Sequence, residues 1–178
     1  MPADRFVEAL NAQIGREFGA SQQYLSAAVW YDDQTFPRLA QLFYDQAVEE
    51  RGHALMMIKY LLDSDAPVRV PGVDAPRGSF EDHVAPVRIA LEQERRVTDQ
   101  ISELAQVARD ERDYVSEQFT QWFLKEQVEE VDLFSTLLDV AERTRDLPMD
   151  LEDFIAREGI GGAGAADPTA PLPAGGGA

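Results

Sequence analysis

The sequence predicts an all-α protein: a four-helix bundle made of two hairpins, joined by a bundle-length crossover and followed by a short fifth helix. Three observations carry this expectation. Four long stretches repeat apolar residues at three- and four-residue steps, the stripe of a core-facing helix. The long break between the second and third stretches, residues 64–78, contains Pro67, Pro71 and Pro76 and has no helical period. Each stripe is also interrupted by polar groups on its inward line: Glu17, Glu50 with His53, Glu94, and Gln127 with Glu130.

The first helix is expected from Asp4 to Asp33, with Phe6, Leu10, Ile14, Glu17, Ser21, Tyr24, Ala28 and Tyr31 inward. The segment 32–37 breaks the period, and Pro37 suits the first turn of a second helix running to about Asp63. Its inward line holds Leu39, Leu42, Phe43, Ala47, Glu50, His53, Ala54, Met57, Ile58 and Leu61. Extended, the fifteen residues 64–78 reach roughly 50 Å, while a helix of about 28 residues measures roughly 42 Å. The connection can therefore run the length of the bundle and start the third helix beside the start of the second. Ser79 and Asp82 form a candidate N-cap pair, followed by inward Val84, Val87, Leu91, Glu94, Val97, Ile101, Ala105 and Ala108. Residues 110–113 form a polar turn, and the fourth helix turns Val115, Phe119, Phe123, Gln127, Glu130, Phe134, Leu137 and Ala141 inward. Pro148 ends this run, and a short fifth helix from Asp150 to about Glu158 is closed by Gly159.

The 178 residues, 44% hydrophobic, suffice for one well-packed domain, residues 1–158. Residues 159–178 are rich in Gly, Ala and Pro and are expected to be disordered. Leu151, Phe154 and Ile155 of the fifth helix have little core of their own, so they are expected to pack on other subunits. His83 is expected at the surface.

The chain has no cysteine, which excludes disulfides, thiolate metal sites and thiol nucleophiles. The N-terminal residues 1–6 contain no apolar signal core, and no stretch approaches the roughly 18 apolar residues needed to cross a bilayer. A cytoplasmic protein with no membrane partner is expected. The net charge of −17 disfavours nucleic acid and favours cations.

Glu17 and Glu50 are 33 residues apart, and so are Glu94 and Gln127. Superimposing the hairpins on this interval matches Glu17 with Glu94, Glu49 with Glu126, Glu50 with Gln127, and His53 with Glu130. Two copied hairpins predict a pseudo-twofold bundle whose polar groups converge at mid-height. Glu17, Glu50, Glu94 and Glu130 bring four negative charges together, which two divalent cations would match. In this reading Glu50 bridges, Glu17 and His53 complete one metal's ligands, and Glu94 and Glu130 complete the other's. Open positions remain for dioxygen, an arrangement suited to redox iron.

Over roughly residues 5 to 158 these motifs resemble the non-haem bacterial branch of the ferritin family, of the actinobacterial type with a C-terminal extension. The resemblance implies a ferritin-like four-helix bundle that oxidises Fe(II) with dioxygen or hydrogen peroxide. It also implies a ferric mineral deposited inside a hollow homo-oligomer of 24 subunits. Gln127 and Glu130 are similar to true ferritins rather than to the Glu-x-x-His repeat of bacterioferritins. Arg51 stands where haem-binding bacterioferritins carry methionine, so no haem is expected. Glu49, Glu126 and Glu129 resemble a third iron site on the way to the mineral, and Tyr24 and Trp122 are implied as aromatic neighbours of the iron. Two alternatives stay open: a di-iron oxidase acting on an organic substrate, and a non-catalytic structural shell protein. A rubrerythrin-like peroxidase is disfavoured because there is no cysteine for an electron-transfer iron.

Overall fold

The structure, a computed structural model, describes residues 1–161 and 167–175. Helices α1 (Asp4–Asp33) and α2 (Pro37–Asp63) form one hairpin, and α3 (Ala85–Asp110) and α4 (Tyr114–Arg143) form another. The short α5 (Pro148–Glu158) follows, and the described residues contain no strand. Among the described residues no helix is long and apolar enough to cross a membrane.

Helix boundaries follow local chemistry. Pro37 opens α2, where its missing N–H costs nothing. At α3 the cap is Asp82 alone: its Oδ1 accepts from the backbone N–H of Val84 at 3.0 Å and of Ala85 at 2.9 Å. Ser79, expected to share this role, instead offers its carbonyl to Arg77 Nε. Asp113 caps α4 by accepting from Ser116 N, and it also accepts from Ala3 N, fastening the chain start to the second hairpin's turn. Gly159 closes α5 in the left-handed conformation, φ 67°, with Ile160 N donating to Ile155 O.

The crossover runs along α1. Near its start, Asn11 Nδ2 donates to Pro67 O and Asn11 Oδ1 accepts from Arg69 N; near its end, Gln23 and Ser26 donate to Arg77 O. It presses so closely on α1 that a Cβ at Gly15 would lie 2.6 Å from Pro71 Cγ. The crossover therefore delivers α3 beside the end of α1, where Tyr31 OH donates to His83 O, as its length predicted.

The core falls into two apolar clusters. One contains Tyr24, Tyr31, Leu39, Phe43, Leu91, Phe134 and Leu137. The other contains Phe6, Leu10, Ile14, Met57, Leu61, Ile101 and Phe123. On every long helix the polar residues expected on the inward line are buried between the two: Glu17 on α1, Glu50 and His53 on α2, Glu94 on α3, Gln127 and Glu130 on α4. A polar layer thus crosses the bundle at mid-height.

Three further expectations are corrected. Val115 is 73% exposed, and Ser116 and Thr120 turn inward instead. Tyr60 explains the rotation: its hydroxyl pairs with Ser116 Oγ at 2.8 Å and its ring stacks on Phe119 at 4.0 Å, favouring the polar residue one position on. His83 is not a surface residue, being 8% exposed, tilted over Phe36, and offering its carbonyl to Tyr31 OH. Leu151 and Ile155 bury themselves on the chain's own bundle, beside Leu39 and Leu137 in the first cluster, rather than waiting for another subunit.

Residues 167–175, expected to be featureless, lie against α2 and α4. Ala174 N donates to Leu55 O at 3.0 Å, and Asp167 Oδ2 accepts from Trp122 Nε1 at 3.1 Å and Lys125 Nζ at 3.3 Å. Composition misses this because one acid and one backbone amide suffice to anchor a chain that has no core of its own. The disorder expected of 162–166 and 176–178 lies outside the described residues.

Candidate metal centre

Helical spacing places Glu50 and His53 one turn apart on α2, and the α1–α2 packing brings Glu17 to the same height. Each offers a ligand atom, and the three atoms lie within 4.8 Å of one another; all three residues are buried. His53 Nδ1 faces Glu50 Oε2 at 3.3 Å, and the ring is wedged edge-on against Trp122 and Phe123. Packing therefore fixes which nitrogen faces the carboxylates.

Glu94 lies across the layer with both carboxylate oxygens held. Tyr24 OH donates a short bond to Oε1, and Gln127 Nε2 donates to Oε2 at 3.1 Å and to the Glu94 carbonyl at 3.2 Å. Tyr24 is itself fixed by stacking on Phe134 and by Phe43 edge-on. In this arrangement Gln127 and Tyr24 position Glu94. Glu130 accepts from Gln46 Nε2 at 3.4 Å through Oε1, and among the described residues its Oε2 has no partner. The outer acids sit nearer to water, with Glu49 and Glu129 exposed and Glu126 half-buried. Lys125 Nζ lies 3.8 Å from Glu126 and 3.6 Å from Glu129.

Burial dominates the electrostatics. It pushes Glu17 well above the ordinary carboxylate range, with Glu50 adding to the rise. Glu50 is raised by burial and then by the Glu94 charge. Glu130 is pushed up to about 8, by burial first and then by Glu49 and Glu94. Burial and then the neighbouring Glu94 raise Tyr24 as well. Among the described residues no Lys or Arg pairs with Glu17, Glu50, Glu94 or Glu130; the partner they find is His53. Without a cation such a layer must hold protons, because unpaired buried carboxylates cost several kcal/mol each. Among the described residues Glu17 Oε2 and Glu130 Oε2 are buried without a hydrogen-bond partner, oxygens that a cation could engage. Carboxylates with one imidazole and no thiolate suit iron or manganese.

Two contributors escaped the sequence reading. Gln13 Nε2 donates to Glu17 Oε1 at 2.8 Å, and Arg16 Nη1 donates to Gln13 Oε1 at 3.0 Å. Gln46 likewise holds Glu130. The signal was present, since Gln13 and Gln46 are also 33 residues apart and each sits four residues before a glutamate of the centre. The second hairpin has Ala90 and Phe123 at the corresponding positions, so the glutamine pair belongs to the first hairpin alone.

A family model described as a ferritin-like domain matches residues 7–144. The chain is 52% identical over 172 residues to Ferritin BfrB of Mycolicibacterium smegmatis, covering 97% of this chain and 94% of that one. It is 34% identical over 146 residues to the bacterial non-heme ferritin of Staphylococcus aureus, covering 82% of this chain and 88% of that one. Among solved structures, an open pore ferritin from Archaeoglobus fulgidus superposes with a TM-score of 0.83 at 28% identity, covering 88% of this chain and 94% of that one.

Proposed function

The chain belongs to the ferritin family, and from that premise we propose that it stores iron by oxidising Fe(II) at the buried Glu17–Glu50–His53 centre. The Fe(III) then passes into a mineral held inside a hollow cage of 24 copies. The observation that carries this reading is the cluster itself: two carboxylates and an imidazole, buried, with ligand atoms within 4.8 Å of one another and, among the described residues, no Lys or Arg to balance them.

Glu17, Glu50 and His53 would hold one iron, and Glu50 with Glu94 and Glu130 the other. Two bound Fe(II) ions supply one electron each to dioxygen or hydrogen peroxide. The chain's own part is to bind, orient and manage protons. Glu17, Glu50 and Glu130, all raised by burial, give up protons when cations replace them, and those protons are released where the oxidant is reduced. Tyr24 and Gln127 keep both oxygens of Glu94 aimed into the layer, and Gln13 steadies Glu17. Glu49, Glu126 and Glu129 offer the next carboxylates on the way out of the layer.

An organic substrate is disfavoured by the packing around Tyr24. Among the described residues, Phe43, Phe80, Ile89 and Ala90 close the space beside it so that no room for even a water molecule remains. The groove of about 830 Å³ between α1 and the crossover touches none of the proposed ligands.

Fe(II) added in air to the metal-free protein tests the reading. The parent should oxidise it in a fast phase, followed by slower growth of mineral absorbance. Glu50→Ala, with its helices checked by circular dichroism, should slow the fast phase by at least about 100-fold, the upper range for disturbing a metal's supporting residues. A Glu50→Ala protein that oxidises iron at the parent rate would place the chemistry elsewhere.

A further inference from the structure

The side-chain amide of Gln46 lies between Glu130 of the buried centre and Glu49 of the outer acids. Its Nε2 donates to Glu49 Oε2 at 3.0 Å and to Glu130 Oε1 at 3.4 Å, so its two hydrogens serve two carboxylates. Gln46 is 5% exposed, and among the described residues its Oε1 has no hydrogen-bond partner. Glu130 Oε2 has none either. A buried carbonyl oxygen left without a donor is destabilising. A leucine of similar length would avoid that cost if packing were all that position 46 required.

Charge explains why an amide suits the position. Glu49 and Glu130 repel each other when both are ionised, and the Gln46 amide stands between them. A Lys or Arg between them would quiet the repulsion but would compete with any cation. A neutral amide holds both carboxylates and leaves their charge available. Its carbonyl oxygen is a hard donor of the kind divalent cations accept.

We propose that Gln46 is the stepping point between the centre and the outer acids: its N–H groups position Glu130 and Glu49, and its carbonyl oxygen is a donor to the cation that moves between them. This rests on the iron-handling reading above, and it goes further by assigning the exit of the centre to one side of α2. The Glu17–Glu50–His53 group is left by way of Glu130, Gln46 and Glu49.

Zinc, which is redox-inert, tests the assignment in the assembled full-length protein. Calorimetric titration of metal-free protein should resolve binding at Glu17–Glu50–His53 from binding on the Glu130 side, with anomalous scattering from zinc-soaked crystals to locate each ion. Gln46→Leu should weaken the Glu130-side step about 10-fold and leave the other step at its parent affinity. In Fe(II) oxidation the same variant should lower the ratio of repeated-turnover to first-turnover rate about 10-fold, because clearing of the centre is impaired. A purely structural role would weaken both zinc steps together. Equal weakening at both steps, or Glu130-side affinity and a turnover ratio equal to the parent's, overturns the proposal. Should Gln46→Leu fail to assemble, Gln46→Glu decides: an added carboxylate donor should tighten the Glu130-side step, and unchanged affinity there overturns the proposal. A parent protein that does not oxidise Fe(II) would end the ferroxidase reading, while the zinc steps would still judge Gln46.

Discussion

Glu152 on α5 caps α2 across the fold: its Oε1 accepts from the backbone N–H of Leu39 at 2.8 Å, and its Oε2 from that of Arg38 at 2.8 Å. Glu152 is buried, and α2 has no side-chain cap from its own sequence. The first N–H groups of a helix lack intrahelical partners and carry partial positive charge, so a carboxylate there is doubly favoured. Glu152→Ala should cost about 2 kcal/mol, at the upper end for loss of a cap. Chemical unfolding curves measure this, and limited proteolysis should then release α5. Glu152→Gln, which keeps one acceptor, should lose less; equal losses would deny the charge a role.

The metal-free protein should lose heat stability as pH rises. Glu130 sits at about 8 against an ordinary 4.5, so the folded chain holds a proton that the unfolded chain releases at lower pH. Its contribution is fully present below about 4.5 and is lost as pH climbs towards about 8. Glu17 and Glu50, raised as well, act in the same direction. Calorimetric scans at pH 5.5 and pH 8 should show a lower midpoint at the higher pH, with each lost kcal/mol worth about 2–4 °C. Glu130→Gln should flatten the trend, which separates this carboxyl from the general repulsion of a chain of net charge −17.

The two metal positions should fill unequally. Ligand atoms of Glu17, Glu50 and His53 already lie within 4.8 Å of one another, whereas both oxygens of Glu94 are engaged, by Tyr24 and Gln127. The first zinc ion per subunit should therefore bind about 10-fold or more tightly than the second, since the second must displace standing hydrogen bonds. Tyr24→Phe, which releases Glu94 Oε1, should alter the second step and spare the first. Simultaneous filling at one affinity would show that the centre is not biased toward α2.

Asp167 should hold the 167–175 segment in place. Its carboxyl is kept well below the ordinary range by the Thr169 hydroxyl and backbone N–H, with Trp122 and Lys125 adding to the effect, so the contact should persist into mild acid. Asp167→Ala should raise hydrogen exchange at the Ala174 amide, now bonded to Leu55 O, and shift Trp122 fluorescence. Cage size and unfolding midpoint should stay near the parent's, as for surface changes worth within about 0.5 kcal/mol. Unchanged protection at Ala174 would mean that other contacts seat the segment.

The helices and the polar layer were legible in the sequence because both are periodic. A buried stripe must repeat at the helical period, and an acid on that stripe stands out whatever it touches, which is how Glu17, Glu50, His53, Glu94, Gln127 and Glu130 could be named together. The 33-residue interval carried the same information twice, and it also contained Gln13 and Gln46, whose amides give no charge signal and so passed unnoticed. Only the tertiary structure decided what each polar group faces: Glu152 at the start of α2, Asp167 on Trp122 and Lys125, Ser116 turned inward by Tyr60, and Gln46 between two carboxylates. Periodicity reports which face of a helix is buried, because burial repeats along the chain. The partner that satisfies a hydrogen bond lies on another helix, at a distance along the sequence that no local period encodes.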